Sequence, residues 1–281
     1  MPMAQVPDDI EIYYEEHGEG EPVLLLMGTG ADHTFWGPQI GPYSERFRTI
    51  VIDSRGTGRS TRPADPTTCT AQAMARDALG VLDHLGIDRA HLGGLSLGSA
   101  VGQEVALMAP ERLLSLSLHG TWGKSDEWFI RAIDTLEVPA LQGEIHRYLY
   151  WALMWVLSPR FLAEEPDAVA DIVRTYIDEN PYPPSGEGIA GHTHADKLHD
   201  TLDRLHRIDV RTLVTAGAMD WLVPPRYGEE VARAIPGARY HLFTGDYSSH
   251  CACVEMADEW NRVTLAFLAG EDVGEVLSPG D

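Results

Sequence analysis

Ser96 stands in Gly94-Leu95-Ser96-Leu97-Gly98, a G-x-S-x-G spacing that lets a serine sit on a strained strand-to-helix turn with its hydroxyl exposed. A serine hydroxyl is a weak nucleophile, so such chemistry needs a base to take its proton and a carboxylate to orient that base. In open α/β sheets these groups gather just past the carboxyl ends of strands. That criterion selects Asp220, in the loop after Leu213-Val214-Thr215-Ala216, and His250, which follows Tyr240-His241-Leu242-Phe243 and precedes a helix-like segment. Asp246, in the same loop as His250, is the alternative acid. The competing reading of Ser96 is a helix N-cap, since serine is favoured there. His33, just past Gly28-Thr29-Gly30, is a candidate substrate contact or an orienting hydrogen-bond partner inside its loop.

The elements that must position these residues follow from the apolar pattern. Pro22 to Met27 and Arg48 to Asp53 read as buried strands running into Gly-dependent loops. Thr70 to Leu85 has helical spacing. Ala90 to Leu95 is the strand feeding Ser96, Leu97 to Met108 the helix after it, and Leu113 to Leu118 the next strand. From about residue 121 to 207 the chain turns aromatic and helical, and the strand pattern resumes at Val210 to Thr215 and Ala238 to Phe243. A helix from about Met256 to Leu268 closes the chain, and Gly270 to Asp281 has the composition of a frayed tail. This is the pattern of a mainly parallel sheet flanked by helices. The economical division is a core of 1–120 and 208–281 with a helical cap at 121–207.

The order Ser, Asp, His and five ordered motifs resemble the α/β-hydrolase family. LLLMGTGADHTFW resembles its oxyanion strand and loop, IDSRGTGRS its Gly-rich loop, GLSLG its nucleophile elbow, AGAMDWLVPP its acid loop and SSHCACVEMADEWNRVTLAFL its histidine loop and final helix. The resemblance implies the α/β-hydrolase fold, a catalytic triad of Ser96, Asp220 and His250, and an oxyanion hole formed by the backbone N–H groups of Thr29 and Leu97. Many members carry His-Gly where this chain has Met27-Gly28. Within the family the GTG loop and DSRGTGRS look most like 3-oxoadipate enol-lactonase-type and small-molecule esterases. Arg55 and Arg59 are candidates to bind an acidic substrate, but they lie in a loop that mainly supports architecture in that family.

The implied activity is a serine hydrolase cleaving a small ester or lactone through an acyl-enzyme, with no cofactor and no metal. The alternatives are a thioesterase or a tailoring hydrolase or cyclase acting on a bulky acyl chain, and a hydrolase-fold ligand-binding protein with little turnover. Trp122, Trp128, Trp151 and Trp155 of the expected cap are candidate substrate contacts, and such a cap implies an apolar or ring-containing substrate. His192, His194, His199 and His206, with Asp196 and Asp200 nearby, have metal-ligand chemistry, but a polar return into the core is the preferred explanation.

Composition narrows the partners. With 43 acidic against 21 basic residues in 281, the net charge of −22 opposes binding to phosphate backbones or anionic membranes. The start of the chain has neither a basic region nor an apolar signal core, which leads to the expectation of a cytoplasmic protein. Cys69, Cys251 and Cys253 make no disulfide framework. Oligomeric state is not legible.

Overall fold

The computed structural model describes residues 2–278. Its strands are β1 (Met3–Val6), β2 (Ile10–His17), β3 (Glu21–Leu26), β4 (Phe47–Ile52), β5 (Ala90–Leu95), β6 (Leu113–His119), β7 (Thr212–Gly217) and β8 (Arg239–Phe243). They form one sheet in the order β1-β2-β4-β3-β5-β6-β7-β8. β1 and β2 are antiparallel additions at one edge, and the strands from β4 to β8 run parallel.

The apolar runs explain this arrangement. Parallel strands are covered on both faces, so neither parity of side chain can be polar. Along β3, Leu24 and Leu26 enter the larger core, while Val23 and Leu25 enter a second core on the opposite face. The larger core is covered by α2 (Ala71–His84), α3 (Leu97–Met108) and, further along the chain, the helix Pro225–Ala234. The second is covered by α1 (Gly37–Ser44) and the closing helix Ala257–Leu268, where Trp260 and Phe267 are fully buried.

Between β6 and β7 the chain inserts α4 (Glu127–Leu141), α5 (Ile145–Val156), α6 (Pro159–Glu164), α7 (Pro166–Val173) and α8 (Gly186–Leu198). The insertion carries a small core of its own, built on Tyr148, Leu149, Leu153 and Tyr176, into which the half-buried Phe35 of the β3 loop packs. After it come α9 (Pro225–Ala234), α10 (Ala252–Glu255) and α11 (Ala257–Leu268).

β3 is followed by β4 on one side and β5 on the other, so the connections diverge between β3 and β5. A crevice at the carboxyl ends of strands opens at such a switch point. The register brings the strand ends level there: Leu26 pairs with Gly94, Leu95 with His119, and His119 with Thr215.

The expectation of a frayed tail is corrected for its described part. Tyr240 N–H donates to Glu275 O at 2.6 Å and Glu275 N–H to Tyr240 O at 2.8 Å. β8 is an edge strand with free backbone groups, and the tail satisfies some of them. Residues 279–281 of that expected tail lie outside the described residues.

Candidate active site

Ser96 is the residue between the end of β5 and the start of α3, and its φ of 55° with ψ of −122° lies where non-glycine residues are strained. The turn is tight enough that the flanking glycines admit no side chain. A Cβ on Gly94 would collide with the carbonyl of Gly98, and one on Gly98 with the carbonyl of Leu26. Ser96 makes no side-chain capping bond to α3, so the N-cap reading fails. Its backbone is secured instead: Ser96 N–H donates to His119 O at 2.9 Å, and Ser99 Oγ donates to Ser96 O at 2.6 Å.

The loops after β7 and β8 bring Asp220 and His250 together. His250 Nδ1–H donates to Asp220 Oδ2 at 2.7 Å, and Asp220 Oδ1 accepts from Val223 N–H at 2.8 Å. Both side chains are buried. With Nδ1 committed, the lone pair of a neutral His250 sits on Nε2. Gly120, after β6, makes room for the ring: a Cβ there would stand 2.9 Å from His250 Cε1. Asp246 takes no part, because it is exposed and paired with Arg160 Nη1 at 2.6 Å.

Ser96 and His250 lie on the wall of one cavity of about 90 Å³ under the insertion. Its wall is mostly aliphatic, with Ile133 and Leu136 from α4, Leu149 and Leu153 from α5, and Leu222 from the Asp220 loop. The remaining polar groups are those of Thr29, Thr193, Tyr148, Tyr176 and Cys251. Among the described residues no charged carboxylate, lysine or arginine lines it. Leu97 opens α3, so its N–H has no partner within the helix, and neither it nor the Thr29 N–H donates to another protein group among the described residues.

Five expected substrate contacts lie elsewhere. His33 Nδ1 is 2.6 Å from Asp53 Oδ1 and its Nε2 is 3.1 Å from Glu15, so the ring serves its own loop rather than the cavity. Trp122 is buried against Phe129, with ring centroids 4.4 Å apart. Trp128 and Trp151 are 47% and 44% exposed, and Trp155 stands edge-on to Trp128. The cause is the helical phase of α5: Tyr148, Leu149, Ala152, Leu153 and Val156 form the cavity face, which turns Trp151 outward. The cavity aromatics are the phenol rings of Tyr148 and Tyr176 and the ring of Phe35.

The polar residues singled out around the site have structural partners. Arg55 donates through Nε and Nη2 to the two oxygens of Asp77, each at 2.6 Å, and is buried. Arg59 lies over the rings of Tyr13 and Tyr182. Of the insertion histidines, His199 Nε2 is 3.2 Å from Gln103 Oε1, and His192 bridges Gly30 N–H and the Arg55 carbonyl. Burial pulls both rings down to about 4, so they are neutral. The potential metal donors that cluster among the described residues are Asp32, His33 and Asp53, whose atoms are engaged with Thr34, Asn180, Arg59 and one another.

Asp196, on α8, stands out in the sequence only as a carboxylate beside the insertion histidines. It is fully buried, and its Oδ2 accepts from Thr29 Oγ1 at 2.6 Å. Burial pushes its carboxyl up to about 7, against the opposing effects of the Thr29 hydrogen bond, His250 and Lys197. The signal available was the His192/Asp196 pair at i, i+4, which a helix places on one face.

Known proteins show the same organisation. The family model described as alpha/beta hydrolase fold matches residues 21–252. A relative from Azorhizobium caulinodans named "Putative carbamate hydrolase RutD" is 33% identical over 95% of this chain and 98% of its own length. The enol-lactonase from Burkholderia xenovorans is 29% identical, with a TM-score of 0.85 over 95% of this chain and all of that one. A thermophilic esterase from Thermogutta terrifontis is 27% identical, with a TM-score of 0.82 over 96% of this chain and 98% of its own.

Proposed function

The chain belongs to the α/β-hydrolase fold family, and from that premise we propose that Ser96, His250 and Asp220 form a catalytic triad that hydrolyses a small, uncharged ester or lactone. One observation carries this reading: a strained serine whose hydroxyl has no hydrogen-bond partner among the described residues shares a cavity wall with a histidine whose other nitrogen is held by a buried carboxylate. Asp220 holds the imidazole in the tautomer that leaves Nε2 free. His250 takes the Ser96 proton as Oγ attacks the substrate carbonyl, and the imidazolium so formed is stabilised by Asp220. The Thr29 and Leu97 N–H groups receive the developing oxyanion, each contributing about 3–4 kcal/mol to the transition state. His250 then protonates the leaving alkoxide and activates water, which releases the acid and restores Ser96.

The substrate class follows from the wall. An aliphatic cavity of about 90 Å³ with no charged side chain among its lining residues favours a short, neutral acyl group. The same features oppose the bulky-acyl alternative. The insertion acts as the cap of the site, because α4 and α5 supply its roof. A small carbamate is the second reading, favoured by the relatives that bear that name. Its carbonyl is attacked by the same serine, so the two differ only in leaving group and acyl stability.

The test is labelling of Ser96 by a fluorophosphonate, read by mass spectrometry, beside turnover of p-nitrophenyl acetate, a small lactone and phenyl carbamate. The expected result is a label on Ser96 that is lost in His250→Ala, with turnover of the neutral ester or lactone. Folded protein that takes no label and turns over none of the three defeats the reading and leaves the ligand-binding alternative. Carbamate turnover exceeding that of both other substrates selects the second.

A further inference from the structure

The loop that carries Thr29 is held from the insertion at successive residues. Thr29 Oγ1 donates to Asp196 Oδ2 at 2.6 Å, Gly30 N–H donates to His192 Nδ1 at 3.1 Å, and the Gly30 carbonyl accepts from the Tyr176 hydroxyl. His192 and Asp196 are one helical turn apart on α8, and His192 is itself fixed by donating from Nε2 to Arg55 O at 2.8 Å. Asp196 is the unusual member. Its side chain is inaccessible, and its second oxygen, Oδ1, has no hydrogen-bond partner among the described residues. An ionised carboxylate with an empty acceptor in such a place is costly, whereas a neutral carboxyl is far less so.

We propose that Asp196 is a positioning residue for the hydrolysis: from the insertion it fixes the Thr29 side chain, and with it the Thr29 N–H of the oxyanion hole, and it supports turnover best while its carboxyl is neutral. The inference rests on the triad reading above. A fixed donor stabilises an oxyanion only if it need not reorganise during the reaction, and the Thr29–Asp196 bond removes one freedom of that loop. Ionised Asp196 would set a negative charge one side chain away from the residue that must receive the oxyanion, and in a water-poor site that repulsion is poorly screened. The other titratable and charged groups around it are His250 from the histidine loop, Glu137 on α4, Tyr148 on α5, and His192 and Lys197 on α8. His192 is neutral, and Lys197, occupied by Glu137 and Asp134 at 2.9 and 3.1 Å, offsets an Asp196 charge only in part, since burial still holds the carboxyl up at about 7.

The experiment compares parent, Asp196→Asn, Asp196→Ala and Thr29→Val from about pH 5 to about pH 9, measuring kcat and KM for a neutral ester and the rate of fluorophosphonate labelling. In the parent, kcat is expected to fall as pH rises through about 7. Asp196→Asn keeps an acceptor for Thr29 and cannot ionise, so its kcat is expected to show no such fall as pH rises through about 7. Asp196→Ala and Thr29→Val are each expected to lose on the order of tenfold in kcat with KM within about twofold, and the double variant no more than either alone. A merely structural aspartate would not move the alkaline limb. The inference is overturned if parent and Asp196→Asn share one pH profile, whether or not Asp196→Ala folds. It is overturned alone if Ser96 labels normally in every variant with unchanged rates, and together with the triad if the parent neither labels nor turns over.

Discussion

Asp220 Oδ2 lies 2.7 Å from His250 Nδ1, although the two residues come from separate loops that follow neighbouring parallel strands, β7 and β8. Gly217 pairs with Phe243 at the ends of those strands, and Met219 N–H donates to Ser248 O at 2.8 Å, so the two loops leave the sheet tied together. Asparagine at 220 can keep the contact but can present an N–H to Nδ1, which favours the tautomer with its proton on Nε2. Asp220→Asn is therefore expected to fold normally and to lose on the order of 10³–10⁴ in kcat. Steady-state kinetics beside a circular dichroism spectrum checks this, and a kcat within tenfold of the parent would remove Asp220 from the triad.

Asp246 provides the contrast in the same loop. Its carboxylate is 2.6 Å from Arg160 Nη1, and both side chains are exposed, at 66% and 48%. Exposed pairs of this kind contribute about 0–1 kcal/mol. Asp246→Asn is expected to leave kcat within about twofold and to change stability by less than about 1 kcal/mol. Chemical denaturation and ester turnover of this one variant decide it; a large loss of kcat at unchanged stability would make Asp246 the acid instead.

Much of this arrangement is legible in the residues. Ala90–Leu95 and Leu97–Met108 can be read to the residue, because a strand buried on both faces is a continuous apolar run and the glycines around Ser96 fix where it must turn. β1 and β2 are not legible, since β1 is a four-residue edge strand and its neighbour Ile10–His17 interleaves glutamates with its buried Ile10, Ile12 and Tyr13. The short helices α1 and α9 carry prolines and few apolar residues, and their burial is decided by the sheet they land on. The tryptophans mislead for a related reason. Aromatic content marks the insertion as packed, but the rotational phase of α5 decides which rings meet the cavity, and that phase is set by tertiary contacts. Asp196 is legible only as half of a pair, because its partner Thr29 lies 167 positions earlier in the chain.

Arg55 and Asp77 make a buried fork beneath the loop after β4, each side chain no more than 3% exposed. Removing one partner of such a pair strands the other charge in the interior, at a cost of about 3–5 kcal/mol. Arg55→Leu is expected to lower the thermal midpoint sharply while leaving kcat per folded molecule nearly unchanged, since Arg55 does not line the cavity. Thermal unfolding followed by active-site titration of the folded fraction separates the two effects. A variant of parental stability would show that Asp77 finds another partner or sheds its charge.

Asp196 also ties stability to pH, independently of turnover. Its carboxyl ionises at about 7 in the folded chain, because burial disfavours the charge, against an ordinary value of 3.8. Below the ordinary value both folded and unfolded forms are protonated, and the residue adds no pH dependence. Between the two values the folded form holds the proton more tightly, so stability falls as pH rises, and above about 7 the whole penalty of the buried charge is present. That penalty is about 4 kcal/mol if the full difference is realised. Asp196→Asn has no proton to lose and retains the acceptor for Thr29 Oγ1. Its stability relative to the parent is therefore expected to increase between about pH 5 and about pH 8, whatever the offset between the two proteins at the lower pH. Denaturant unfolding of both proteins at these two pH values measures the change directly, with every other titrating group common to the pair. A difference that does not vary with pH would mean that Asp196 ionises in the folded chain much as it does in the unfolded one.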